Sequence, residues 1–406
     1  MTGAGLAGLR TAVSLRDQGH TGQITLLGSE ERAPYDRPPL SKKVLTATAL
    51  TKDVDPSLEA DFAALDVDFR PGTEAVSLDA AGRAVVTADG PVPYDALMIA
   101  TGASPIRLPG PGRQRFLRTY DDALALRETL KPGARLAIVG AGWIGAELAT
   151  AAAAAGCEVT VAEAAKTPLA AVFGPDFGPA FASWYAEAGV TLRAGVGVSS
   201  VEDGGLLLDS GERVDADVVV TAVGVRPATG WLAGSGLELD PERGGAVAVD
   251  EGLRGSLPGV YAAGDCASFP SGLFGARLRV EHWDVALHAP EVAAANILGG
   301  SQAYDPVPYF WSEQFGRMVQ YVGHHGPGDR LVWRGDPGEP KWSACWVTPG
   351  STEGAGVLAA LLTVGKPKDM VQSRRLIGSR ATVDAGRLSD PAVPVKEAAL
   401  TSNLGV

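Results

Sequence analysis

Six glycines and two carboxylates, set out the same way twice, are the residues of this chain best placed to do chemistry. Gly3-Ala4-Gly5-Leu6-Ala7-Gly8 is one G-x-G-x-x-G, and Gly140-Ala141-Gly142-Trp143-Ile144-Gly145, 137 residues later, is the second. In such a motif the first glycine makes a tight turn. The second lets the backbone approach a pyrophosphate, and the third lets a helix pack closely on its strand. The helix that follows offers unbonded N–H groups and the positive end of its dipole to the phosphates. Glu30 and Glu163 lie 22 and 18 residues beyond Gly8 and Gly145, where a carboxylate receives the hydroxyls of a ribose.

These residues need strand–turn–helix–strand units to position them. A helical pattern runs over Leu9–Gln18 and stops at Gly19. A second runs over Ala146–Ala155 and stops at Gly156, both stops being the glycine that a left-handed cap favours. β-Branched runs follow at Gln23–Leu27 and Glu158–Val161. Arg135–Val139 reads as the strand leading into the second fingerprint. Only Met1 and Thr2 precede the first, so the buried strand required there is expected from residues upstream. Each half then continues as short strands: Val67–Arg70, Ala75–Leu78, Ala84–Thr87 and Ala96–Ile99, ending in Ala100-Thr101-Gly102; and Val190–Arg193, Gly197–Val201, Leu206–Asp209 and Val218–Thr221, ending in Ala222-Val223-Gly224. A strand through Leu257–Ala263 enters a Gly264-Asp265 turn. Beyond Pro308, strand-like stretches at Tyr309–Trp311, Met318–Val322, Leu331–Trp333 and Trp342–Val347 suggest an α+β domain. The expected organisation is residues 1–108 and 231–308 for a first nucleotide-binding domain, 109–230 for a second, and 309–406 for the C-terminal domain.

Composition removes several classes. With 406 residues, 46% hydrophobic and 20% charged, the chain is neither disordered nor a coiled coil. A net charge of −12 disfavours phosphate-backbone contacts with nucleic acid. No apolar run approaches the ~20 residues that span a bilayer. Cys157, Cys266 and Cys345 are too far apart in sequence for a C-x-x-C, a zinc ribbon or a cluster site, and no metal is expected. Met1-Thr2 runs straight into the glycine turn without a leader, so a soluble cytoplasmic protein is expected.

Further motifs carry a resemblance. Tyr35-Asp36-Arg37-Pro38-Pro39-Leu40-Ser41-Lys42, Leu117-Arg118-Thr119 with Asp121-Asp122-Ala123, Gly259–Asp265, Val280-Glu281-His282-Trp283 and Pro308-Tyr309-Phe310-Trp311-Ser312-Glu313-Gln314 join the two fingerprints. Together, over nearly the whole chain, they resemble NADH-dependent ferredoxin reductases of the putidaredoxin reductase type and the reductase components of ring-hydroxylating dioxygenases. Rubredoxin reductases and apoptosis-inducing factor are more distantly similar. The fold this implies is α/β: two Rossmann-like nucleotide-binding domains, arranged as in glutathione reductase, with a C-terminal α+β domain. Relatives of the glutathione reductase kind carry a redox cysteine pair early in the first domain; no cysteine precedes Cys157 here, which excludes dithiol chemistry.

The resemblance implies FAD on the first half and NADH on the second. Gly3, Gly5, Ala7 and Gly8 are then expected to cradle the flavin pyrophosphate, with Arg37, Ala100, Thr101 and Gly102 alongside. Arg118 is expected at the flavin nucleotide, Gly264 and Asp265 at its ribityl or phosphate region, and Trp283 where a backbone group meets the pyrimidine edge. Where the family often has an acid after the second strand, this chain has Ser29, so Glu30 or Ser29 takes the ribose contact. Gly140, Gly142, Trp143, Ile144 and Gly145 are expected to hold NADH. Glu163 is expected to receive its adenosine ribose and to repel a 2′-phosphate, and Gly224 ends the strand over which the nicotinamide stacks. Lys42 is expected beside the flavin and Glu147 near the nicotinamide, the two paired, with Trp311 at the flavin face where an electron partner docks.

The implied activity is NADH:ferredoxin oxidoreduction, passing single electrons to a ferredoxin that serves an oxygenase such as a cytochrome P450 or a ring-hydroxylating dioxygenase. An NADH oxidase or quinone-type reductase and an NADH-sensing flavoprotein are the alternatives. Basic residues at Lys366, Lys368, Arg374, Arg375 and Arg380, with Arg277, Arg279 and Arg317, form a candidate rim for an acidic iron–sulfur partner, or else a solvated face. His282, His288 and Cys266 read as packing residues.

Overall fold

The computed structural model describes residues 1–400. Both glycine fingerprints open helices of twelve residues, α1 (Leu6–Asp17) and α2 (Trp143–Ala154). Each begins three residues earlier than the apolar periodicity suggests. The second glycine, Gly5 or Gly142, is the extended N-cap, and the third lies inside the first turn. A Cβ at Gly8 would collide with the Gly3 carbonyl, and one at Gly145 with the Gly140 carbonyl. That contact is the close approach for which the third glycine is needed. Gly19 and Gly156 stop the helices at φ +89° and +80°.

The second unit has a five-stranded parallel sheet in the order Thr191–Ala194, Glu158–Glu163, Arg135–Val139, Val218–Thr221, Gln114–Arg115. α3 (Gly178–Glu187) precedes its edge strand. The first unit repeats the plan: Val67–Arg70 pairs with Ile24–Leu27, and Leu97–Ile99 with Val260–Ala262, all in parallel. Between these pairs, where the expected upstream strand would lie, Thr2 bridges in parallel to both Leu27 and Ile99. Its N–H reaches Met98 O at 3.0 Å and its carbonyl receives Ala100 N at 2.8 Å.

The first unit is discontinuous in sequence. α4 (Trp283–Ile297) packs on α1, and two short antiparallel strands, Ala103–Pro105 and Val225–Pro227, carry the chain between the units. The C-terminal part is an antiparallel sheet in the order Tyr309–Gln314, Arg317–Gly323, Ala355–Val364, Trp342–Pro349, Arg330–Arg334. α5 (Pro367–Gly378) packs across it. An aromatic cluster seals this sheet to the second unit: Phe173, Phe177, Phe181 and Trp184 interleave with Trp333, Trp342 and Trp346. The architecture is thus mixed α/β with a C-terminal α+β domain.

Candidate active site

The two units and the C-terminal sheet enclose a cleft of ≈ 1230 Å³. Gly3, Gly5, Ala7, Ser29, Glu30, Arg37, Lys42, Ala100, Thr101, Gly102, Arg118, Gly264 and Asp265 line it, and Trp143, Ile144, Glu147, Trp283 and Trp311 line it too. The glycines that turn the chain and those that face a ligand separate cleanly. A Cβ at Gly3 would strike the Ala100 carbonyl, and one at Gly140 would sit 2.5 Å from the Ala222 carbonyl. At Gly5 and Gly142 there is nothing within 4 Å. Neither α1 nor α2 has a side-chain cap, so their first N–H groups face that open space unsatisfied.

Glu147 is the most heavily bonded carboxylate of the cleft. It is 4% exposed on α2, one turn in from the N-terminus. Lys42 Nζ, itself 19% exposed, donates to Oε2 at 2.9 Å, and Ser41 Oγ donates to the same oxygen. Ser312 Oγ donates to Oε1 at 2.7 Å, and the Glu313 N–H approaches the same oxygen at 3.3 Å. Three segments far apart in sequence therefore meet on one carboxyl group. The expected Lys42–Glu147 pair is present. Ser41 and Ser312 stand in the sequence only as members of larger motifs, and serine by itself gives no spacing signal.

Elsewhere the acids are held in place by their own surroundings. Glu30 accepts from Tyr35 Oη at 2.6 Å and from Arg37 at 3.0 Å. Burial, chiefly, pushes the Tyr35 phenol up to about 12. Arg118 pairs with Asp265 at 2.9 Å, and Trp283 Nε1 donates to Asp36 at 2.8 Å. Glu163 receives Ala141 N at 2.6 Å and Ala165 N at 2.8 Å, one on each oxygen, bracing the turn of the second fingerprint. Gly8, Gly140, Gly142, Gly145, Glu163 and Gly224 do not line this cleft. Trp311 stands edge-on to Trp283 at 5.9 Å and stacks on Tyr309, over which Arg374 lies.

The basic residues are spread over several parts of the molecule. Of Arg277, Arg279, Arg317, Lys366 and Lys368, only Arg279 lines the cleft, and it is paired with Glu281. Arg277 lines a separate hollow beside Asp240, and Arg317 pairs with Glu187 on α3. Lys366 caps α5 and Lys368 lies in its first turn. A neighbouring acid or carbonyl claims each arginine, which the sum of charges along the sequence does not reveal.

His282 caps α4 against Phe310, ring centroids 4.6 Å apart, and its Nδ1 is buried without a partner. Burial, chiefly, lowers its pKa from 6.5 to about 4. The charged form is thus excluded from the folded state, so His282 contributes full stability above pH 6.5 and loses it as pH falls from 6.5 toward 4. His282→Leu is expected to flatten the decline of Tm over that window by the equivalent of about 3 kcal/mol. Identical slopes in calorimetry would show that the ring is already protonated or exposed.

Residues 2–289 match the family described as pyridine nucleotide-disulphide oxidoreductase. The chain belongs to that family. Residues 309–399 match a second one, the reductase C-terminal family. The ferredoxin–NAD(+) reductase component of the p-cumate 2,3-dioxygenase system of Pseudomonas putida is 36% identical, over 98% of this chain and 97% of that protein. Putidaredoxin reductase CamA of Pseudomonas putida is 32% identical, over 98% and 95%. Among solved structures, Fdr9 superposes with a TM-score of 0.90 at 49% identity, covering 97% of this chain and 98% of that one. The covalent putidaredoxin reductase–putidaredoxin complex gives a TM-score of 0.90 at 31% identity, covering 98% and 96%.

The oxidoreductase family's cofactors, FAD and NAD(H), fit the residues present. Two open glycine positions, two uncapped helix N-termini and two fixed acids answer to two dinucleotides. Unlike the family's disulphide-bearing branch, this oxidoreductase has no cysteine in its first unit's cleft; Cys266 is buried among carbonyls and Cys345 lies in the C-terminal core. Among the described residues there is no group of side chains suited to a metal ion and no helix long and apolar enough to cross a membrane.

Proposed function

We propose that this chain takes hydride from NADH onto FAD and passes single electrons to a ferredoxin of an oxygenase system. The observation that carries the reading is the largely buried Lys42–Glu147 pair, which joins the first nucleotide-binding unit to the second in the lining of the cleft. The ferredoxin reductase names of the full-length relatives support the choice of acceptor. FAD, when bound, supplies the conversion of a two-electron hydride into single electrons.

Hydride transfer needs no protein acid or base; it needs two rings held face to face and dry. Lys42 places a cation at the flavin end of the pair, Glu147 places its carboxylate toward the nicotinamide, and Trp143 and Phe310 close the apolar wall. Gly5 and Gly142 admit the two pyrophosphates, Glu30 or Ser29 receives the flavin ribose, and Glu163 the other. Arg118 and Asp265 hold the middle of the flavin nucleotide. Trp311, with Tyr309 and Arg374 behind it, forms the face for the ferredoxin. The test is NADH-dependent cytochrome c reduction with and without a ferredoxin. Ferredoxin is expected to raise the rate strongly. Equal rates, together with rapid reduction of quinones or oxygen, would favour a diffusible acceptor.

Cofactor choice should reside in Glu163. Its carboxylate would lie against the 2′-phosphate of NADPH, a like-charge contact costing several kcal/mol. Glu163→Arg is expected to shift the NADH/NADPH ratio of kcat/KM by about 100-fold toward NADPH. Glu163→Gln keeps acceptors for only part of the Ala141 and Ala165 bracing and should shift it less. An unchanged ratio in Glu163→Arg would place the ribose elsewhere.

A further inference from the structure

We infer that Ser312, its hydroxyl aimed by Gln314, is a positioning residue that fixes the Glu147 carboxylate for hydride transfer, so that the C-terminal domain helps set the rate of flavin reduction. The inference rests on the reading of Lys42 and Glu147 given above.

The strand Tyr309–Gln314 presents alternate residues to opposite sides. Phe310, Ser312 and Gln314 share the side that meets α2: Phe310 packs on Trp143 with ring centroids 4.6 Å apart, and Ser312 bonds Glu147. The register is natural. Two residues of strand advance ~6.6 Å, and the four residues of helix from Trp143 to Glu147 advance ~6 Å. One strand therefore holds both α2 contacts without distortion.

The hydroxyl's direction is not free. Ser312 is fully buried and Gln314 is 1% exposed. Gln314 Nε2 donates to Ser312 Oγ at 3.1 Å, so the single hydroxyl proton is left for the acceptor on the other side, Glu147 Oε1 at 2.7 Å. Remove that donor and Oε1 retains only the long 3.3 Å contact with Glu313 N–H. Oε2 keeps both Ser41 and Lys42. The carboxylate is then held from one side only and is drawn toward Lys42. A residue that does not line the cleft thus decides where the Glu147 charge sits within it.

The experiment uses the FAD-loaded enzyme and its flavin-free form. In stopped flow, Ser312→Ala is expected to lower the limiting rate of flavin reduction at saturating NADH about tenfold, with the NADH concentration at half-maximal rate changed less than twofold. Ser312→Thr, which keeps the hydroxyl, should recover most of the rate. Gln314→Met should give an intermediate loss. In the Glu147→Gln background, Ser312→Ala should add nothing. In the flavin-free protein, the infrared carboxylate band that disappears in Glu147→Gln should shift in Ser312→Ala and return in Ser312→Thr. If Glu147→Gln is slow while Ser312→Ala matches the parent in both rate and band, the positioning role is overturned and the ion-pair reading stands. If Glu147→Gln itself reduces flavin at the parental rate, the ion-pair reading falls. Should Ser312→Ala lose thermal stability, Ser312→Cys, a weaker donor of similar size, carries the same comparison.

Discussion

Replacing Lys42 or Glu147 by alanine is expected to slow reduction of the bound flavin by NADH about 100-fold each, and replacing both to slow it little further. The reason lies in burial. Lys42 is 19% and Glu147 4% exposed, so deleting either leaves the other as a poorly solvated charge without its counter-ion. The survivor moves toward water or a new partner, and the ring positions set by the pair are lost with it. Deleting both removes the stranded charge as well, hence the less-than-additive outcome. Delivery of electrons from flavin already reduced with dithionite to ferredoxin should change less than threefold, because in the proposed mechanism that step leaves by the Trp311 face. Strictly additive losses, or a loss confined to the ferredoxin step, would separate the two residues functionally despite their 2.9 Å contact.

The glycines allow a second large contrast. Gly3→Ala and Gly140→Ala place a methyl against a backbone carbonyl at φ +98° and +102°. They are expected to cost about 3 kcal/mol of stability or to prevent folding. Gly5→Ala and Gly142→Ala have ordinary φ of −89° and −78° and open space beyond. They should leave the Tm of the flavin-free protein nearly unchanged. The new methyl instead occupies the path of a pyrophosphate: Gly5→Ala should lose FAD, and Gly142→Ala should weaken NADH by about 10–100-fold while retaining flavin. Calorimetry and flavin absorbance read the two effects separately. Flavin loss in Gly142→Ala with retention in Gly5→Ala would reverse the assignment of the two sites.

The duplicated fingerprints made both nucleotide-binding units legible, because a turn that only glycine accepts leaves a mark in composition. The strands leading out of them were legible from their β-branched runs. The starts of α1 and α2 were not, since Gly8 and Gly145 look like loop residues until their contact with the Gly3 and Gly140 carbonyls is seen. Lys42 and Glu147 were readable as a pair only through their surrounding motifs; no spacing rule links residues 105 apart. Ser312 and Ser41 were invisible for a plainer reason: a serine's role depends on which acceptor the fold brings to it. The partners of the basic residues were not legible, because charge along a sequence says nothing about neighbours in space. Arg374, for instance, is bound to Asp284 and the Val307 carbonyl.

The discontinuity of the first unit bears on the order in which the protein is made. Its strand Leu97–Ile99 gains its partner Val260–Ala262, and α1 gains α4, only after the whole second unit has been synthesised. The second unit, by contrast, draws its entire five-stranded sheet from a continuous stretch, residues 114 to 221. Once folded, it brings Ala103–Pro105 and Val225–Pro227 side by side. A loop of some 160 residues between Ile99 and Val260 is thereby shortened to the few residues flanking that staple, and most of its closure entropy has already been met. Assembly on the ribosome is then expected to run from the middle outward, the second unit first and the first unit last. In chains stalled near residue 250, the 114–221 region should resist protease before any flavin is captured.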